Sequence, residues 1–196
     1  MRLWTIQRIP AWQQLQATGS LRGRAERVPS DWRDAYAWMR TQMTERIGPP
    51  PEQDASPVWA WHWYAGSRRP KPDLRYRGHL GKGEAGVRIE IEADPEAVVL
   101  SDFIDWHAVL NNWHLAASPD DDDAFDAALK TKGLDHGNYR SDPEVAANIM
   151  KSWELVFDLE RHVPEWTRPP DERMIQAALW EVRMDQIREV SPFVSR

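Results

Sequence analysis

Hydrophobic and polar positions alternate in Arg2–Arg8, where Leu3, Thr5 and Gln7 interleave with Trp4 and Ile6, and this predicts a first strand. Pro10 fits the first helical position after it. Trp12 and Leu15 share one helical face and Gly19 is the stop. From Ser30 to Ile47 the large residues Trp32, Tyr36, Met39, Met43 and Ile47 recur at three- and four-residue spacing, which predicts an amphipathic helix ended by Gly48 and three prolines. Pro57–Tyr64 reads as a strand with Trp59, Trp61 and Trp63 on one face and Val58, Ala60, His62 and Tyr64 on the other. Large residues on both faces predict a central strand, or one whose open face meets a ligand.

Val87–Asp94 alternates again, with Val87, Ile89 and Ile91 inward. A short strand over Ala97–Leu100 follows, and then a helix capped by Ser101 or Asp102 that runs to about Leu115, with Phe103, Trp106, Leu110 and Trp113 as its apolar stripe. Residues 116–141 read as a polar, irregular insertion whose four acids Asp120–Asp123 suit a helix N-terminus. Asp142–Pro143 starts a helix carried by Val145, Ile149, Trp153 and Val156. Met174–Met184 satisfies both a helical and a strand pattern. These elements predict an α+β fold: one domain over residues 1–196, with small, mostly antiparallel sheets and surrounding helices.

Composition narrows the chemistry. With 196 residues the chain can bury a core without staples, and it has no cysteine, which removes disulfides, thiolate metal sites and cysteine nucleophiles. No apolar run approaches a membrane span and Met1–Pro10 has no signal-peptide core, so a cytoplasmic protein without a membrane partner is expected. The net charge of −6 argues against nucleic-acid binding by the surface as a whole. Charge is nevertheless segregated. Gly66–Lys82 holds six basic residues against the single acid Asp73, whereas Ile89–Asp126 holds eleven acids and no Lys or Arg. Twelve tryptophans supply packing mass or flat faces for stacking.

Motifs are few. Gly81-Lys82-Gly83-Glu84-Ala85-Gly86 matches Gly-x-Gly-x-x-Gly, but a loop precedes it and a strand follows, the reverse of a dinucleotide-binding turn. His107, Asn111 and His114 fall on one helical stripe without a third metal ligand, so no metal is expected. The unspaced acidic run has no calcium-loop pattern. Within Lys71-Pro72-Asp73-Leu74-Arg75, Arg75 can take a phosphate, and Asp73 can orient it or bind a ribose hydroxyl; a local Asp–Arg surface pair is the alternative. Late in the chain Gln176 and Glu181 place an amide and a carboxylate near one another.

Several segments together resemble the family called domain of unknown function 3841: Leu3-Trp4-Thr5-Ile6-Gln7 with Trp12, Leu15 and Gly19, Ile47-Gly48-Pro49-Pro50, Trp59-Ala60-Trp61, Lys71–Arg75, Leu100-Ser101-Asp102-Phe103, Trp106-His107, and Ile175-Gln176-Ala177 with Trp180-Glu181. A fainter similarity is to ADP-ribosyltransferase-like domains, which hold NAD in a cleft between two small sheets. That resemblance implies NAD or a related nucleotide as ligand, Arg75 on phosphate, Asp73 and Gln176 on ribose, Trp61 as stacking face, and Thr5 or Gln7 on the first strand. His107 and Asn111 join the ligand-binding set as cleft polar residues. Glu181 and Gln176 are then the catalytic candidates, because a late carboxylate stabilises the oxocarbenium-like state formed as the nicotinamide–ribose bond breaks. The rival readings are a non-catalytic protein- or nucleic-acid-interaction module, and a toxin-like enzyme acting on RNA.

Overall fold

The computed structural model describes residues 1–135 and 138–196. It is an α+β protein whose chain divides into two compact units, Met1–Leu100 with Met174–Arg196, and Ser101–Arg173.

The first unit contains nearly all the strands. β1 (Arg2–Arg8), β4 (Val58–Trp63), β5 (Ala85–Glu92), β6 (Val99–Asp102), β7 (Ile175–Leu179) and β9 (Ile187–Val194) form a sheet in the order β6-β7-β4-β1-β5-β9; β2 (Ser20–Arg24), β3 (Ala55–Ser56) and β8 (Glu181–Arg183) form a smaller one, β3-β2-β8. The pairs β1–β4, β1–β5, β4–β7 and β5–β9 of the large sheet and β2–β3 and β2–β8 of the small one are antiparallel. Leu3, Ile89, Ile91, Val87, Val58, Ala60, Ala177 and Leu179 line one face of the large sheet and meet Leu15 of α1 (Ile9–Thr18) and Leu21 and Val182 of the small sheet. Each is under about a tenth exposed, and each buried Val, Leu or Ile contributes roughly 1.5–3 kcal/mol. α1 carries Pro10 in its first turn and ends at Gly19, whose φ of 79° is the left-handed conformation that a Cβ disfavours.

α2 (Arg33–Ile47) begins one turn later than the periodicity predicts, because Ser30–Trp32 forms a 3₁₀ turn. Its buried face is Ala35, Trp38, Met39, Gln42 and Met43, leaving Trp32 40% exposed. The helix therefore sits rotated from the predicted stripe. Met174–Met184 resolves as two strands rather than a helix. All of Ile175–Leu179 is buried, as a strand covered on both faces must be, and a helix over the same residues would leave a polar side to place. β2 and β9 were not legible: Ser20–Arg24 is too short and polar, and Pro192 falls within the edge strand β9, where a missing N–H is tolerated.

The second unit is helical. Asp102 caps α3 (Phe103–Leu110), its Oδ1 accepting from the Ile104 and Asp105 amides at 2.7 and 3.1 Å. α3 stops short of the expected Leu115, with Asn112 at φ 54°, so Trp113 falls off the helix and is exposed while Trp106 and Val109 are buried. Within the expected irregular insertion, Pro119–Thr131 forms a regular helix, α4. Ser118 caps it, and Asp120, Asp121 and Asp122 lie in its first turn, where the dipole favours them. His136 and Gly137 of that stretch lie outside the described residues. α5 (Pro143–Ser152) starts at the Asp142 cap and continues into a 3₁₀ turn, burying Val145, Ile149, Trp153 and Val156.

Candidate functional site

A cleft of about 300 Å³ opens in the first unit between β1 and β4 of the large sheet and β2 of the small one. Ile6, Gln7, Val58 and Trp59 form one wall. Arg22, Gly23 and Arg24 form the other, and Arg27 and Tyr36 close the ends. Gly23 lets β2 lie tightly against the Ser56–Pro57 backbone, where β3 leads into β4: a Cβ there would lie 2.8 Å from the Pro57 carbonyl oxygen and closer still to that of Ser56. The Trp59 indole N–H donates to the Tyr36 hydroxyl at 3.1 Å and the two rings meet edge to face, which fixes an aromatic wall. Burial of the Tyr36 hydroxyl pushes its pKa up, so it remains protonated at neutral pH. On the sheet floor, Gln7 donates to Thr5 Oγ1 at 2.7 Å and Thr5 donates to the Trp59 carbonyl at 2.8 Å.

A charged ladder runs along β2. Arg22 and Arg24 are two residues apart on β2 and so share a face. Arg22 stands in register with Glu181 on β8, and its guanidinium grips that carboxylate at 2.8–2.9 Å. The Glu52 carboxylate then bridges Arg22 and Arg24, the latter at 2.6 Å, and Asp54 completes the row on Arg24 at 2.9 Å. The Glu181 hydrogen bond is the main cause that raises the Arg22 pKa, and Asp54 does the same for Arg24. Arg27 is exposed and has no ion pair among the described residues. The cleft is thus lined by three arginines, two of which share the Glu52 carboxylate, and by the Trp59–Tyr36 aromatic pair.

The sequence-predicted residues divide between several places. Thr5 is fully buried beneath this cleft and Glu181 lies beside it through Arg22. Trp61 and Gln176 are register partners on the sheet, in a row that continues through Trp4 and Glu90 to Glu189. Thr5 occupies the next register position and points to the opposite face. Gln176 is buried and its Nε2 has no hydrogen-bond partner among the described residues. Asp73 and Arg75 engage each other through two short contacts, Arg75 Nε to Oδ1 at 2.9 Å and Nη2 to Oδ2 at 2.6 Å. That bond holds the Asp73 carboxyl far below the usual carboxylate range, and it takes up the guanidinium expected to bind phosphate. Arg88, on the same face as Trp4, tethers this loop by donating to the Pro72 carbonyl at 2.8 Å. His107 and Asn111 belong to the second unit, where His107 Nδ1 lies 2.8 Å from the Phe103 carbonyl and Asn111 donates to the His107 carbonyl, so both are engaged with their own helix. Sequence reasoning missed Arg22, Arg24, Glu52, Tyr36 and Trp59 as a group. Only the i, i+2 arginines of an unrecognised strand signalled them.

The second unit has its own polar cavity of about 350 Å³, lined by Asp102, Asp105, His114, Arg161, Trp166 and Arg173 among others. Arg173 donates to Asp102 at 3.2 Å and to the Arg161 carbonyl, and Arg161 donates to Asp105 at 2.7 Å. Burial, reinforced by the Asp102 charge, raises the Asp105 pKa against the pull of both arginines. No group of three or more His, Asp or Glu side chains suited to a metal ion occurs among the described residues.

Fold and cleft together define an α+β protein in which two antiparallel sheets flank a polar–aromatic hollow. Residues 2–188 match the family described as a domain of unknown function (DUF3841), and the chain belongs to that family. No curated protein and no solved structure matches it. Among the described residues no helix is long and apolar enough to cross a membrane.

Proposed function

We infer that the cleft binds a nucleotide of the NAD class, with transfer of ADP-ribose as the associated chemistry. The supporting observation is the face shared by Arg22 and Arg24: their guanidinia converge on one carboxylate, that of Glu52, and both arginines line the same cleft as Trp59 and Tyr36. A carboxylate bridging two guanidinia occupies the geometry that suits a phosphate. A cavity near 300 Å³ is at the small end for ligand sites and suits one nucleotide half of a dinucleotide. In this reading the phosphate takes the place of Glu52, Arg27 meets a second anionic group, and Trp59 supplies the face for a flat ring. Glu181, held beside the cleft by Arg22, stabilises positive charge on the ribose as the C1′–N bond breaks and nicotinamide leaves with the electron pair. An acceptor nucleophile then bonds to C1′ and loses its proton.

Titration calorimetry of the full chain with NAD and with ADP-ribose tests the binding. Arg24→Ala is expected to weaken it about tenfold or more, and Glu52→Gln to strengthen it by removing the internal competitor. Mass spectrometry should find an ADP-ribose adduct that Glu181→Gln abolishes. An absence of heat at millimolar NAD overturns the reading.

A further inference from the structure

The basic loop between β4 and β5 plays no part in the cleft, and its structure gives it a chemistry of its own. The chain leaves β4 at Tyr64 and turns back through Gly66–Arg69, with the Tyr64 and Ala65 amides donating to Pro70 and Arg69 carbonyls at 2.9 and 3.1 Å. A second turn, Asp73–Tyr76, is closed by the Tyr76 amide on the Asp73 carbonyl, which also lies 2.9 Å from His79 Nε2. These bonds make the segment a built surface. Arg68, Arg69, Arg77 and Lys82 are exposed on it, and none has an ion pair among the described residues; Arg75 and Lys71 are engaged by Asp73, Glu90 and Glu189.

Aromatic rings stack through the same turns. Tyr76 lies over Tyr64 at 6.4 Å and 25°, Tyr64 contacts His79 at 5.5 Å and the Trp61 edge at 5.0 Å, and His79 meets Phe193 at 6.0 Å. Tyr76 ends the stack. It is supported by Tyr64 and is 51% exposed, so it offers ring surface to solvent beside Arg75 and Arg77. A supported, exposed ring next to Arg77, on a loop that also exposes Arg68, Arg69 and Lys82, matches an unpaired nucleobase with its phosphates: the base stacks and the cations follow the backbone. A duplex hides its base faces, and an acidic peptide has no use for the ring.

We propose that the Gly66–Lys82 loop is a binding surface for single-stranded nucleic acid, with Tyr76 as the stacking residue and Arg68, Arg69, Arg77 and Lys82 on phosphates. This surface is independent of the NAD reading. The whole-chain charge of −6 confines binding to the loop and makes it salt-sensitive. Three or four phosphate contacts to a single strand predict a log–log salt slope of about −2 to −3.

Fluorescence anisotropy of the full chain with a labelled twelve-nucleotide oligouridylate, in low and rising salt, tests it. Saturable binding is expected, weakened about five- to hundredfold by Tyr76→Ala. The triple change Arg68→Gln, Arg69→Gln, Arg77→Gln should flatten the salt slope by about 2. These side chains are exposed, and circular dichroism verifies that each variant retains the fold. Absence of saturable binding overturns the proposal. Wild-type affinity in Tyr76→Ala also does, since it reduces the surface to a polyelectrolyte contact. Tighter binding of a duplex or of polyglutamate would do so as well, the latter assigning the loop to an acidic protein.

Discussion

Arg173 shows how far one side chain can be committed. It is 2% exposed, and it donates to Asp102 and to the Asp158 and Arg161 carbonyls, while its Nε has no partner. A buried pair is costly to assemble and costlier to break, because removing one partner strands the other charge. Arg173→Met is therefore expected to lower stability by about 3–5 kcal/mol, read as a shift of the urea midpoint with the slope unchanged. His114 gives the second unit a pH dependence. Its ring stacks on Phe125 at 4.1 Å and 9°, and burial lowers its pKa from 6.5 despite the opposing charges of Asp121 and Asp122. A histidine with a depressed folded pKa favours folding in its neutral form. Its contribution is complete above pH 6.5 and is lost as the pH falls through the folded value. Melting temperature should thus decline between pH 7 and pH 5, and His114→Gln should flatten part of that decline. An unchanged slope in the variant would place the effect elsewhere, with the burial-depressed His62 as the other source.

At the scale of elements, caps and close approaches decide the outcome. Ser118 accepts from the Asp121 amide and starts a helix in a stretch that looks irregular as a string of letters. Ser118→Ala is expected to cost about 1 kcal/mol and to speed hydrogen exchange in the first turn of α4. Gly23 sits where β2 meets the Ser56 and Pro57 carbonyls, so Gly23→Ala must push β2 away from that backbone. A loss of about 1–3 kcal/mol follows from that displacement, and calorimetric unfolding of the variant measures it; under the proposed function NAD binding weakens as well. The periodic elements were legible for a simple reason. Val87, Ile89 and Ile91 alternate because one face is buried, and Gly19 and Gly48 punctuate because a Cβ disfavours their positive φ. β2 was not legible, since Ser20–Arg24 buries only Leu21 and acquires strand geometry from β3 and β8. Met174–Met184 carried two periodicities, and pairing with β4 selected one.

For the molecule as a whole, charge placement is written in the chain but charge pairing is not. The basic run at Gly66–Lys82 is evident from composition, yet only the folded loop shows that Asp73 takes up Arg75 while Arg68, Arg69 and Arg77 have no ion pair among the described residues. Likewise Glu181 was visible as a late carboxylate, but its partner Arg22 lies 159 residues away and joins it only because β2 and β8 are neighbours. The sequence alone determined the α+β character, most of the periodic strands and helices, the stops of α1 and α2, and the family, because these follow from local periodicity, caps and contiguous wording. Tertiary structure alone decided which cations are free, which aromatic rings are supported and which carboxylates meet arginines. Those outcomes depend on distances between residues far apart in the chain, and local pattern carries no information about them.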